Sequence, residues 1–175
     1  MRSTSLVLLA FTGPILAGPQ GAPLKGAAYT LQIKSSAEPL NNKILSTKGG
    51  KVGIFPGGLG LKVSSSAYAS SNTLSLHPGA EDHQLALVGS KGLLELVDVV
   101  NPRAESIPHG QSMEWSTFVI DGQGNVGVKD GADIPSRRWV AFTNADGSHG
   151  IGLYDGFTVP PPKQFQNVTL VATRT

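Results

Sequence analysis

The chain has no cysteine among its 175 residues. Disulfides, thiol catalysis, iron–sulfur clusters and cysteine-ligated zinc are therefore excluded. Charge is also scarce: 15% of residues are Asp, Glu, Lys or Arg, against about a quarter in an ordinary globular chain. The longest basic run is Arg137-Arg138. Nucleic-acid binding needs a basic stripe, so no nucleic-acid partner is expected. Aromatic residues make up only 6%, which leaves few rings for a stacking platform. No apolar stretch reaches the roughly 20 residues of a membrane-spanning helix, so the chain is expected not to span a membrane. Long helices are equally hard to place, because Gly and Pro together account for 34 residues and both disfavour helix interiors.

What is present begins at the N-terminus. Arg2 and the terminal amine precede the apolar run Leu6-Val7-Leu8-Leu9-Ala10-Phe11, and Ile15-Leu16-Ala17 follows. A positive region, a short apolar run and small residues, in that order, make a secretory signal peptide. Residues 1–18 are read as that signal, with the mature protein starting between Gly18 and Gly26. Residues 19–175 then form a single β-rich domain, a size that buries a core without disulfides. Arg2 leaves with the signal, so the mature side chains carry 13 basic against 12 acidic groups.

Strand signals run through the rest. Tyr29, Leu31 and Ile33 alternate with polar residues on one face, and Asn167 to Thr173 alternates at the other end. Between them, four apolar segments turn at glycine-rich clusters into second short strands. These are 43–46 into 52–55, 84–88 into 94–97, 116–120 into 126–128, and 139–142 into 151–154. Gly and Asn-Asp-Gly clusters supply the positive φ that tight hairpins need. The fold class expected is all-β, a single antiparallel barrel or sandwich, with a β-trefoil-like closure among the alternatives. Uneven turn spacing argues against a strict repeat. Leu85 to Val100 also fits a short helix, although Gly89 and Gly92 favour the hairpin. Val63 to Ser75, rich in Ser, Ala and Asn, reads as a long loop or polar edge strand. With the Pro78-Gly79 turn, it is the expected contact surface.

Chemistry is sparse. Gly122-Gln123-Gly124-Asn125-Val126-Gly127 fits the dinucleotide pattern GxGxxG, but a turn follows where a helix is required. Residues 121–132 start like a calcium loop, then place Val126 and Ala132 where Gly and Glu are needed. His77, Asp82 and His83 are the best metal set, from one loop; His109 reads as a turn residue and no helical histidine pair exists. No metal or cofactor is expected. There is no GxSxG nucleophile elbow. A glycosidase would need two carboxylates meeting in space. Glu81, Glu95, Glu105, Glu114, Asp121 and Asp155 are the candidates, and their settings look solvent-facing. Trp115 and Trp139, at strand starts, read as core rather than as platforms. Asn167-Val168-Thr169 is an N-glycosylation sequon, so Asn167 is the expected glycoprotein site.

Two stretches, Gln84 to Leu96 and Glu114 to Val126, together with Trp139 to Val159, resemble the phialide-type (PhiA-like) fungal cell-wall proteins. These are small secreted β-rich proteins of ascomycetes, and related proteins of plant pathogens act as elicitors of plant defence. The resemblance is one of strand and turn rhythm over most of the mature chain. Members carry cysteines that this chain lacks, and the family offers no catalytic residues. It implies a non-enzymatic secreted or cell-wall protein, extracellular, whose partner is a wall polysaccharide or a host surface component. The alternatives are a lectin-like carbohydrate-binding module and a glycan-active hydrolase with an unrecognised carboxylate pair.

Overall fold

The computed structural model describes residues 26–68, 70–90 and 92–175. The expected signal peptide lies outside the described residues. Each glycine cluster read as a turn does reverse the chain. Gly49 and Gly50 have φ of 59° and 76°, the paired positive angles of a tight two-residue hairpin. They join β2 (Ser46–Lys48) to β3 (Lys51–Ile54). Gly92, at φ 81°, stands between β6 (His83–Ser90) and β7 (Leu93–Val100). The segment that also fitted a helix is therefore a strand pair. Asn144 to Ser148 turns β11 (Arg138–Thr143) into β12 (His149–Tyr154).

The other strands form a second layer. They are β1 (Ala28–Lys34), β4 (Lys62–Tyr68), β5 (Thr73–Pro78), β9 (Phe118–Ile120), β10 (Val126–Val128) and β14 (Thr169–Arg174). They pair antiparallel in the order β10-β9-β5-β4-β1-β14. A bridge between Asn125 and Val171 brings the two ends of this sheet together, so six strands make a nearly closed barrel. The first and last strands pair along their length, from Tyr29 opposite Arg174 to Lys34 opposite Thr169.

The path of the chain has a threefold logic. One unit runs from β1 to β4, the next from β5 to β9, the third from β10 to β14. Each leaves the barrel, makes one hairpin and returns. The second strands of the three hairpins then pair with one another: Lys51 with Val97, Leu94 with Leu153, and Gly150 with Gly53. A six-stranded barrel covered by a triangle of three hairpins is the connectivity of a β-trefoil. The uneven hairpins hide this order in the sequence. Two short strands extend the cover, β8 (Ser112–Trp115) on β6 and β13 (Phe165–Asn167) on β11. Among the described residues there is no α-helix, only a 3-10 turn at Ala104–Ser106, and no helix long and apolar enough to cross a membrane.

The core fills the space between barrel and cover. Leu31, Ile33, Leu76 and Phe118 come from the barrel; Leu45, Val52, Leu96 and Ile151 come from the hairpins. All are essentially solvent-free and belong to one cluster. Each such side chain contributes about 1.5–3 kcal/mol on burial. Trp139 joins them, and its indole Nε1–H donates to the Val126 carbonyl at 2.7 Å. It is core, as its strand-start position suggested; Trp115 is half-buried where β8 pairs with β6.

Val63 to Ser75 departs from expectation. It is neither loop nor edge. β4 lies between β1 and β5, inside the barrel sheet. Its polar look arises because Ser65, Thr73 and Ser75 are buried hydroxyls. Ser65 Oγ donates to the Ala27 carbonyl, Thr73 Oγ1 to the Ser116 carbonyl, and Ser75 bonds to the Ser116 hydroxyl. Buried hydroxyls so satisfied carry no large penalty.

Candidate functional site

The GxGxxG segment, Gly122 to Gly127, is the β9–β10 turn. Asp121 Oδ1 accepts the N–H groups of Gln123 and Asn125, each at 2.8 Å, and Oδ2 accepts the Asn125 side-chain amide. The Asn125 amide and N–H, followed by the other N–H groups of the turn, hold this carboxyl below its usual range. The carboxylate is spent on its own turn. The metal candidates are spent too. His77 Nδ1 faces the carbonyls of Glu81 and His83 at 3.1 and 3.0 Å, while Nε2 lies 2.8 Å from the Ser66 hydroxyl. Two carbonyls can only accept, so Nδ1 carries the proton and Ser66 donates to Nε2. His83 turns away to Asp98, 2.8 Å from Nδ1 to Oδ1. Asp82 is exposed and joins neither. Among the described residues no three His, Asp or Glu gather as metal ligands.

Of the six carboxylates weighed as an acid pair, Glu81, Glu105 and Asp121 are exposed, as their settings implied. Glu95 is half-buried and paired with Lys163. Glu114 and Asp155 are not solvent-facing, which corrects the sequence reading. They line one cleft of about 220 Å³ with Ser90, Ser112, Arg137 and Phe157.

Three pieces of chain build this cleft. The first is the stretch after β12, Asp155-Gly156-Phe157-Thr158. Asp155 is 9% exposed. Its Oδ1 accepts the N–H groups of Phe157 and Thr158, both at 3.0 Å, and its Oδ2 accepts the Thr158 hydroxyl at 2.6 Å. Burial works against the charge here. The Thr158 hydroxyl and the N–H groups of Thr158 and Phe157 outweigh it and hold the carboxyl below its usual range. Tyr154 Oη clamps the same loop by donating to the Thr158 carbonyl. The loop therefore holds Phe157 outward, 64% exposed.

The second piece is the β6–β7 turn. The Asp155 N–H donates to the Gly92 carbonyl at 2.9 Å. A Cβ on Gly92 would lie 2.2 Å from Thr158 Oγ1 and 2.6 Å from Asp155 Oδ2. Only glycine lets the turn approach so closely, and its positive φ requires the same residue.

The third piece is the segment 129–137, facing β8. Asp130 accepts the Arg137 guanidinium and the Ala132 N–H. Arg137 is only 16% exposed along its side chain. Glu114, on the edge strand β8, lines the cleft together with Arg137. Burial first, then the hydrogen bond to Asp130 and the Asp130 charge, push Glu114 up to about 7, against the pull of Arg137. On Asp130, burial is outweighed by Arg137, by the Glu114 proton and by the Ala132 N–H, and its carboxyl sits below the usual range. Glu114 Oε2 is buried without a hydrogen-bond partner.

The sequence named Glu114 and Asp155 only as two of six, and it missed Asp130, Arg137 and Phe157. The one local signal was Asp-Gly-Phe-Thr, an acid followed by a glycine and a hydroxyl, which is the pattern of a self-capping turn. The exposed ring of the site is Phe157, neither of the tryptophans. Asn167 lies elsewhere, exposed on β13 opposite Val140 of β11. Comparison with protein-family models, with curated proteins and with solved structures returned no match to this chain.

Proposed function

We propose that this is a non-enzymatic, secreted or cell-wall-associated fungal protein that binds wall polysaccharide through the Glu114–Arg137–Phe157 cleft. One observation carries the reading: an exposed phenyl ring stands at a small cleft that also offers hydroxyl, acid and guanidinium groups. A flat apolar face beside a few fixed polar groups is what a small-molecule site consists of, and a sugar ring presents the complementary surfaces. The carboxylates support a binding role because Asp155 and Asp130 are committed to bonds within the protein. The resemblance to phialide-type wall proteins and the signal-like N-terminus support the extracellular setting, in which a plant-defence elicitor role also falls.

The test is retention on insoluble chitin, β-1,3-glucan and cellulose. The protein should be held by at least one, and Phe157→Ala should reduce retention by about tenfold, roughly 1.4 kcal/mol, with an unchanged unfolding temperature. No retention on any wall polymer, or equal retention of the variant, refutes the site. Two checks bear on the setting. Secreted material should begin between Gly18 and Gly26, and glycosidase treatment should shift its band through Asn167.

A specific observation favours a second reading, a glycan-active hydrolase. One cleft holds an acid raised to about 7 and another held low, the contrast that separates general acid from carboxylate in such enzymes. Turnover of a polysaccharide by the pure protein, abolished by Glu114→Gln, would establish it and end the non-enzymatic proposal.

A further inference from the structure

We propose that copies of this chain associate head to tail, the lysine-bearing flank of the first unit of one copy against the acidic end of the second unit of the next. Neither surface belongs to the cleft. Charge is divided unevenly among the three units. The first, β1 to β4, holds Lys34, Lys43, Lys48, Lys51 and Lys62 against Glu38 alone. The second, β5 to β9, holds six acids against Lys91 and Arg103. On the first unit the strand register gathers three of the lysines. Leu31 and Ile33 are buried in the core, so the alternate residues Thr30, Gln32 and Lys34 face outward. Residues paired across strands share a face. Lys62 stands opposite Thr30, and Ile44 opposite Gln32, with Lys43 preceding Ile44. Ile44 is 50% exposed and lies against Gly60, where an added Cβ would stand 3.1 Å from its Cγ2. Leu59, next in the chain to Gly60, is 91% exposed. Lys34, Lys43 and Lys62 are exposed too, and make no ion pair among the described residues.

The second unit carries the complement around the end of β7. The Asn101 N–H donates to the Asp82 carbonyl at 2.7 Å, and Val100 pairs with His83. The turn that carries Glu81 and Asp82 is thereby held beside Val100, 53% exposed. Glu105 and the exposed Ile107 follow in the connection from β7 to β8, with Arg103 as its one opposing charge. Glu81, Asp82 and Glu105 are exposed and make no ion pair among the described residues. Each surface thus sets uncovered aliphatic side chains among charges mainly of one sign, and the two signs are opposite. Joined, they cover the aliphatic groups and match the charges. Two copies meeting through the same surface would instead bring like charges together, at a cost. The contact is therefore heterologous, and the assembly grows into a ring or an open filament. An anionic lipid surface would also attract the lysines, but it would leave the acidic end without a partner.

The experiment is sedimentation velocity of the full mature protein in about 0.02 M and about 0.5 M salt. At low salt the sedimentation coefficient should rise with protein concentration, and at high salt the protein should be a monomer. Two charge-swapped variants follow: Lys43→Glu with Lys62→Glu, and Glu81→Lys with Asp82→Lys. Each alone should associate about tenfold more weakly. An equimolar mixture should recover the native association, because each variant then meets the opposite sign on the other. Phe157→Ala, altered only in the cleft, should associate like the native protein. The four swapped positions are exposed, so both variants should keep the native circular dichroism spectrum. Should either fold poorly, the salt series of the native protein and the neutral pair Lys43→Gln with Lys62→Gln decide. A native protein that is monomeric at low salt, association indifferent to salt, or a mixture no better than its parts overturns the proposal. A native protein that stays monomeric and binds mixed phosphatidylcholine–phosphatidylserine vesicles overturns it too, and gives the lysine flank to a membrane surface.

Discussion

Asp98 and Asp155 occupy matching places in two of the three units. Each sits near the end of the second strand of a hairpin, and each gives its N–H to the turn glycine of the preceding hairpin, Gly50 at 2.8 Å and Gly92 at 2.9 Å. From there they diverge. After Asp155 come Gly156 and Thr158, so the chain curls back and saturates the carboxylate. After Asp98 come Val99 and Val100, the strand continues, and the carboxylate is left for His83. The first arrangement projects a phenyl ring over a cleft. The second makes a half-exposed hydrogen bond between an imidazole and a carboxylate. A repeated backbone thus fixes where an acid stands, while the next three residues decide whether it builds a site.

The harshest way to break this comparison is to remove what both places share. Replacing residues 64–72 with a Gly-Ser linker deletes most of β4, a strand in the middle of the barrel sheet. The cooperative thermal transition should vanish, as judged by circular dichroism. A folded product would mean that the barrel does not need this strand.

A sharper contrast comes from the two turn glycines. Gly92→Ala combines positive φ with overlap against Thr158 and Asp155, and should cost about 3 kcal/mol. Gly50→Ala meets nothing closer than the Asp98 carbonyl at 3.5 Å and should cost about 1 kcal/mol. Denaturant unfolding of both variants measures the difference, and equal losses would dissolve the distinction between the clefts. The acids themselves come next. Asp155→Ala strands two N–H groups and a hydroxyl, at about 2 kcal/mol. Asp98→Ala loses a partly exposed pair, at no more than about 1 kcal/mol.

The smallest effect is the pH dependence. The folded value of Glu114, about 7, lies above its ordinary 4.5. Its stabilising contribution is present in full below 4.5 and is lost as pH rises to 7. Between pH 5 and 8 the unfolding temperature of the native protein should fall by about 3 °C relative to Glu114→Gln. Asp130 and Asp155 act in the opposite sense. Their values are lowered from 3.8, so their contribution is present above that pH and is lost in stronger acid, in both proteins alike. A parallel course for the two proteins from pH 5 to 8 would deny Glu114 its altered setting.

The legible parts of the fold were those written in apolar alternation and glycine. Leu31 and Ile33 announced β1, Gly49-Gly50 announced the first hairpin, and Trp139 announced a core strand. The barrel strands β4 and β5 were illegible because Ser65, Thr73 and Ser75 are buried hydroxyls whose partners, Ala27 and Ser116, lie far away in the chain. Burial without apolarity leaves no periodic trace. The cleft was illegible for a related reason. Glu114, Asp130, Arg137 and Asp155 come from three separate elements, and only the triangle of hairpins brings them together. Each alone looked like an ordinary surface charge.

The pairing of β1 with β14 has a consequence for the order of events in making the protein. Gln32 and Thr173, bonded side by side, are 141 residues apart in the chain. A ribosome or a translocation pore delivers β1 first and β14 last. The barrel therefore stays open, with β1 paired on one side only, until nearly the whole chain has emerged. Contacts this distant are slow to form, and an unfinished barrel presents a strand edge to its neighbours. Under the secretory reading proposed above, that delay would serve the chain, because a threaded polypeptide must remain unfolded until the far side. Folding that waits for the last strand makes delivery of β14 and completion of the barrel the same event.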